Sequence, residues 1–132
     1  MPTFTYTILY VNDVKTTLEF YQKAFGFAEK FITPEGDYGE LDTGVTTLAF
    51  ANYSVAEYNG VEIQKVASGD VPLPVEIAFV VEDVTAAFAT ATVAGATVVT
   101  EPALKPWGQT VSYVRDNNGF LVELCNSVQS AQ

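Results

Sequence analysis

One order of elements is written into this chain twice, and few folds accommodate such a doubling. Residues Ile8-Leu9-Tyr10-Val11-Asn12-Asp13-Val14 stand against Ala78-Phe79-Val80-Val81-Glu82-Asp83-Val84 at an offset of 70. In each copy a β-rich run is cut by a turn-forming pair and followed by apolar residues at helical spacing. Val14, Leu18, Tyr21 and Phe25 make one helical face, stopped by Gly26, and Val84, Ala87, Phe88 and Ala91 make the other, stopped by Gly95. Asp13 or Asn12 is placed to accept from the free N–H groups of the first helical turn. Further on, Leu48-Ala49-Phe50-Ala51-Asn52 matches Val122-Glu123-Leu124-Cys125-Asn126 at an offset of 74. Any two strand-turn-helix units look alike at low identity; agreement of order, turn chemistry and helix stop favours a duplication.

The remaining elements fill out both copies. In the first, residues 4–11, 27–32, 38–42 and 46–52 read as strands, with Pro34-Glu35-Gly36-Asp37 as a turn. Residues 53–69 have no clean period and read as a connecting segment with a short helical turn around 55–58. After Pro72-Leu73-Pro74 come strands over 75–81 and 97–100, a loop over 101–108 holding two prolines, and a closing hairpin of 109–115 and 120–125. Its turn is Asp116-Asn117-Asn118-Gly119, and Asn118-Gly119 between β-rich runs is a strong hairpin signal because both residue types tolerate positive φ. The expected fold class is therefore α+β: two tandem βαβββ modules, about 4–66 and 72–128, in a single domain over 1–132. They would form a cupped mixed sheet with helices on the convex face.

A chain of 132 residues is long enough to bury a real core. Six Lys and Arg against sixteen Asp and Glu give a net charge of −10, which repels phosphate backbones and anionic lipid, so neither nucleic acid nor membrane is expected as a partner. The one cysteine, Cys125, lies in an apolar strand where a free thiol is usually a small buried hydrophobe. No leader pattern or membrane-length apolar run is present, and the expected location of this acidic protein is the cytoplasm.

Alternation along the strands sorts their side chains. If Leu9, Val11, Ile77, Phe79 and Val81 pack under helices, then Tyr6, Ile8, Tyr10, Glu76, Ala78 and Val80 face the open side. By the same rule Phe120, Val122 and Leu124 pack inward, whereas Leu121, Glu123 and Cys125 face the open side. Glu76 and Glu123 would then be two acids on one concave surface, where both ionise only at a cost. Alternation alone also admits a plainer reading in which each is the polar member of a wet strand face.

The pattern, carried by LYVNDVKTTLEFYQKAFGF in the first half and PWGQTVSYVRDNNGFLVELCN in the second, resembles the vicinal oxygen chelate superfamily of glyoxalases, bleomycin resistance proteins and extradiol dioxygenases. In character it is closest to the metal-free, bleomycin-resistance-like members. The resemblance implies four ligand points on the open strands, here Tyr6, Ala49, Glu76 and Glu123. Glu123 alone keeps the usual carboxylate, Ala49 has no donor, and the chain has no His. An iron or zinc site of the usual kind is thus disfavoured and no cofactor is expected, although two carboxylates and water leave room for weakly held Mg²⁺ or Mn²⁺.

In such relatives the Pro-Trp-Gly before the hairpin helps line the ligand cleft, and Pro106-Trp107-Gly108 matches it. Trp107 reads equally as a lid over core edge with its indole N–H on a carbonyl. Tyr6, Tyr10, Phe50 and Tyr113 are further wall candidates, Tyr113 with an alternative place under a helix. Two functions follow. One is metal-independent binding of a small aromatic or cationic molecule by a homodimer, with antibiotic sequestration or resistance as one form. The other is a glyoxalase-like lyase or isomerase using Glu76 and Glu123 as acid and base.

Overall fold

The computed structural model describes residues 1–67 and 69–128. Ser68 of the expected connecting segment and residues 129–132 of the expected domain lie outside the described residues. The chain divides into two compact units, Met1–Lys65 and Val66–Gln132. The fold is α+β, with two four-stranded mixed sheets and three helices among the described residues.

In the first unit the order is β1 Tyr6–Val11, α1 Val14–Phe25, β2 Ala28–Ile32, β3 Tyr38–Asp42, β4 Thr47–Asn52 and α2 Tyr53–Tyr58. Its strands lie in the order β1-β4-β3-β2, with β1 parallel to β4 and the other neighbours antiparallel. Asp13 is the residue that caps α1: its carboxylate accepts from the Thr16 N–H at 3.0 Å. The helix buries Val14, Leu18, Tyr21 and Ala24, and Tyr21 packs on Phe50 of β4 with ring centroids 4.9 Å apart. Burying a Leu18-sized side chain contributes about 1.5–3 kcal/mol, so this face is the unit's core. Gly39 is where α1 comes nearest the sheet, since a Cβ there would stand 2.7 Å from Leu18 Cδ1.

The second unit runs β5 Glu76–Val80, α3 Val84–Val93, β6 Thr97–Leu104, β7 Thr110–Arg115 and β8 Leu121–Cys125, with strand order β5-β8-β7-β6. Asp83 caps α3 through the Ala86 N–H at 3.0 Å. Ile8 lies across from Ala49 in one unit and Ala78 across from Glu123 in the other, and these are the residues that the two sequence offsets match.

Two local expectations are corrected. The loop expected over 101–108 begins later, because β6 continues through Glu101 and Pro102 to Leu104. Pro102 is tolerated because β6 ends its sheet and its pairing with β7 is irregular between Thr100 and Ala103. In the hairpin, Asn118 does not take positive φ; Gly119 alone does, at 100°. The Asp116 carboxylate accepts from the N–H groups of Asn118, at 2.9 Å, and Phe120, at 2.8 Å, and so supports the loop without a second left-handed residue.

Candidate functional site

The site grows from the ladder of the second sheet. Glu123 on β8 is register partner to Ala78 on β5 and to Tyr113 on β7. Register partners share a face, so Glu76, two residues before Ala78, and Cys125, two after Glu123, lie on that side too. The buried Val122 and Leu124 occupy the opposite side, which fixes the carboxylates on the sheet's open face. This settles the orientation of Tyr113, whose hydroxyl donates to Glu123 Oε1 at 3.1 Å rather than turning under a helix.

The electrostatics of the group follow from one shared proton. Glu76 and Glu123 share the open face of the β5–β8 pair, near enough for one carboxyl to donate to the other, and two carboxylates so placed do not both ionise. The bond to Glu123, helped by burial and by the Glu123 charge, raises Glu76 from an ordinary 4.5 to about 7. Glu123 is held below its usual range, first by the bond from Glu76 and then by those from Cys125 and Tyr113, against burial. Burial, then the Glu123 bond and charge, push the Tyr113 phenol up to about 12. The same causes lift the Cys125 thiol to about 11. A protonated acid beside an ionised one is an arrangement that can hold a cation or pass a proton.

The other sequence candidates scatter. Tyr6 and Tyr10 project from β1 on the side of Ile8, Tyr6 about half exposed. Ala49 is fully buried on β4, across from Ile8 and Glu40. Phe50, expected as a wall residue, is fully buried against Tyr21; adjacent to Ala49, it must point the other way, into the helix-covered core. Trp107 is largely exposed in the turn before β7, and its indole N–H donates to the side-chain carbonyl of Gln109 at 2.8 Å. Gln109 in turn donates to the Asn126 carbonyl at 2.9 Å, which ties the turn to the end of β8.

One functional candidate was missed. Glu40, the β3 partner of Ala49, is a buried carboxylate of the first unit's open face. It accepts from the Tyr38 hydroxyl at 2.8 Å and stands 3.9 Å from the Lys30 ammonium. Burial and then that bond raise the Tyr38 phenol well above the tyrosine range. The alternation Tyr38, Glu40, Asp42 opposite Ala49 was a signal that could have found it.

The residues present do not fit a resident metal of the kind the ligand points would hold. Ala49 brings no donor, and the Glu76 and Glu123 carboxyls are engaged with one another. Among the described residues no group of three His, Cys, Asp or Glu side chains is arranged to hold an ion.

Two four-stranded mixed sheets and three helices among the described residues, with paired acids on the open face of one sheet, define a small α+β protein with a candidate site built on strands. A family model of the Glyoxalase/Bleomycin resistance protein/Dioxygenase superfamily matches residues 3–124, and the chain belongs to that superfamily. No curated protein matches it in sequence. Among solved structures it is similar to a glyoxalase-related enzyme from Fulvimarina pelagi, at 20% identity and a TM-score of 0.82, over 96% of this chain and 89% of that one. A glyoxalase/bleomycin resistance protein/dioxygenase family enzyme from Burkholderia phytofirmans PsJN gives 21% and 0.81, over 97% and 100%. TioX from Micromonospora sp. ML1 gives 24% and 0.72, over 95% and 98%. At these identities the likeness is one of fold.

Proposed function

We propose that this protein binds a small aromatic or cationic molecule without a metal, in the manner of bleomycin-resistance-like members, and that the anchor is the open face around Glu76, Tyr113 and Glu123. The observation that carries the reading is the carboxyl–carboxylate pair, which keeps one negative charge on a sheet face within a protein of net charge −10. Antibiotic sequestration is one physiological form. The reading takes the two units as tandem modules of one domain in a cytoplasmic homodimer, with exposed apolar side chains such as Val80 and Leu104 available for burial between subunits. Calorimetry against a panel of cationic and neutral aromatic compounds tests it. A confirmed ligand should bind at least about tenfold more weakly to Glu123→Gln, the scale of a lost charge-assisted contact. Equal affinity would overturn the anchor.

The second reading is a lyase or isomerase of the glyoxalase-like type. Its specific support is Glu76, whose pKa of about 7 suits proton transfer at neutral pH beside an ionised Glu123. Proton NMR in D₂O, following loss of the α-proton signal from small 2-hydroxy carbonyl compounds, tests it. Exchange that survives Glu76→Gln and Glu123→Gln would remove both residues from the chemistry.

A further inference from the structure

Asn-Gly occurs twice in the chain, at residues 59–60 and 118–119, and the fold holds the two pairs differently. Glycine has no side chain to hinder its own amide nitrogen as it approaches the carboxamide before it, so an asparagine in this setting is open to intramolecular attack. The first pair ends α2. Gly60 has φ 75°; its N–H donates to the Glu57 carbonyl at 3.0 Å and the Val61 N–H to the Ala56 carbonyl at 2.9 Å, the paired bonds by which a left-handed glycine closes a helix. Asn59 is the C-cap, both residues of the pair are exposed, and among the described residues the Asn59 carboxamide makes no hydrogen bond. A helix of 6 residues is held by packing rather than by itself, and α2 buries only Tyr53 and Ala56, so the turn beyond Ala56 opens most easily.

The second pair is anchored on every side. Gly119 is buried, its N–H donates to the Asp116 carbonyl at 3.1 Å, and its own carbonyl accepts from Arg115 Nε at 2.9 Å. The Asp116 carboxylate takes the N–H groups on either side, and the Asn118 carboxamide donates to Asn117 Oδ1 at 3.3 Å. The hairpin joins β7 and β8, the interior pair of their sheet, so exposing this peptide bond means opening the sheet.

We propose that Asn59–Gly60 is a self-modification site, where folded protein slowly converts Asn59 to aspartyl and isoaspartyl forms, and that Asn118 is spared by its surroundings. When the last turn of α2 frays, the Gly60 nitrogen loses its proton to solvent and bonds to Asn59 Cγ. The Cγ–Nδ2 bond breaks, and that nitrogen takes a proton back from solvent and leaves as ammonia. Water then adds to the cyclic imide: opening at Cγ gives Asp, and opening at the main-chain carbonyl gives isoaspartate, whose backbone runs through Cγ. Water is the sole co-reactant and nothing is oxidised or reduced. The extra backbone atom of isoaspartate falls inside the ring that the Val61 N–H closes onto the Ala56 carbonyl, and breaks it. Either product also sets a carboxylate beside the carbonyl end of α2, where negative charge is unfavourable.

The test is incubation of the full chain at neutral pH and body temperature, folded and in denaturant, followed by digestion and peptide mass spectrometry. In folded protein the peptide holding Asn59 should gain about 1 Da and separate into Asp and isoAsp forms, at a rate within about tenfold of the denatured control. The peptide holding Asn118 should react at least about a hundredfold more slowly than its own denatured control. Asn59→Gln, whose longer side chain closes the imide ring poorly, should abolish the change at that position. Hydrogen exchange at Gly60 and Val61 should be faster in the isoaspartyl form. An Asn59 that stays intact when folded while the denatured control converts overturns the proposal, as does an Asn118 that keeps pace with it. Unchanged exchange at Gly60 and Val61 would overturn the loss of the α2 end.

Discussion

Tyr113 and Glu123 are direct partners across the β7–β8 ladder, and the tyrosine hydroxyl donates to the carboxylate at 3.1 Å. After the bonds from Glu76 and Cys125, it is a further contact that favours the charge on Glu123. A ladder position, fixed by backbone pairing, thus gives one of two identical side chains a donor of its own.

Glu76 should make stability depend on pH in a defined direction. Its folded pKa of about 7 lies above the ordinary 4.5, so between those values the folded chain binds more protons than the unfolded one. Stability from this group is therefore present at low pH and lost as pH rises through about 7. The melting temperature of the parent, compared with Glu76→Gln from pH 5 to 8, should fall relative to the variant as pH increases. A constant difference would show that the carboxyls do not share a proton.

Cys125 should be nearly inert. Its thiol is 4% exposed and lifted to about 11, leaving about a thousandth of it as thiolate at pH 8. A chromogenic disulfide reagent should label almost nothing in the native protein and one thiol per chain in denaturant. Glu123→Gln, which removes the neighbouring charge, should speed native labelling.

Gly39→Ala should destabilise by about 1–3 kcal/mol, the usual range for overpacking. The new methyl would meet Leu18 Cδ1 at 2.7 Å, Val14 Cγ1 at 3.2 Å and the Phe31 carbonyl at 3.3 Å, and both side chains are already packed in the core. Denaturant unfolding measures the loss, and in a Leu18→Ala background, itself less stable, Gly39→Ala should cost less than in the parent.

Arg115 should matter out of proportion to its place at a strand end. The side chain is buried and donates from Nε to the Gly119 carbonyl at 2.9 Å, and from its terminal nitrogens to the carbonyls of Asp70 and Ala67. Arg115→Met would strip the donors from these carbonyls at about 2–3 kcal/mol. Limited proteolysis should cut near residue 70 sooner in the variant than in the parent.

The common element order was legible because the residues matched at offsets of 70 and 74 are also strand partners: Ile8 with Ala49, and Ala78 with Glu123, by backbone register. Helix caps were legible for the same local reason, since Asp13 and Asp83 each bond three residues ahead. What escaped was long-range. Pro102 signals a loop to any local rule, and only its place at a sheet edge lets it stay in β6. Phe50 looked like a wall residue although its alternation with Ala49 already assigned it to Tyr21. Glu40 went unseen because its partner strand, not its own neighbours, gives it meaning.

In each unit the first strand pairs in parallel with the last, β1 with β4 and β5 with β8. A chain leaving the ribosome therefore cannot close its second sheet until Cys125 has emerged, and Glu76 waits, ionised in water, for a partner made almost fifty residues later. The acid pair is in that sense a certificate of completed folding: a nascent or truncated chain that has not set β8 beside β5 has no raised carboxyl.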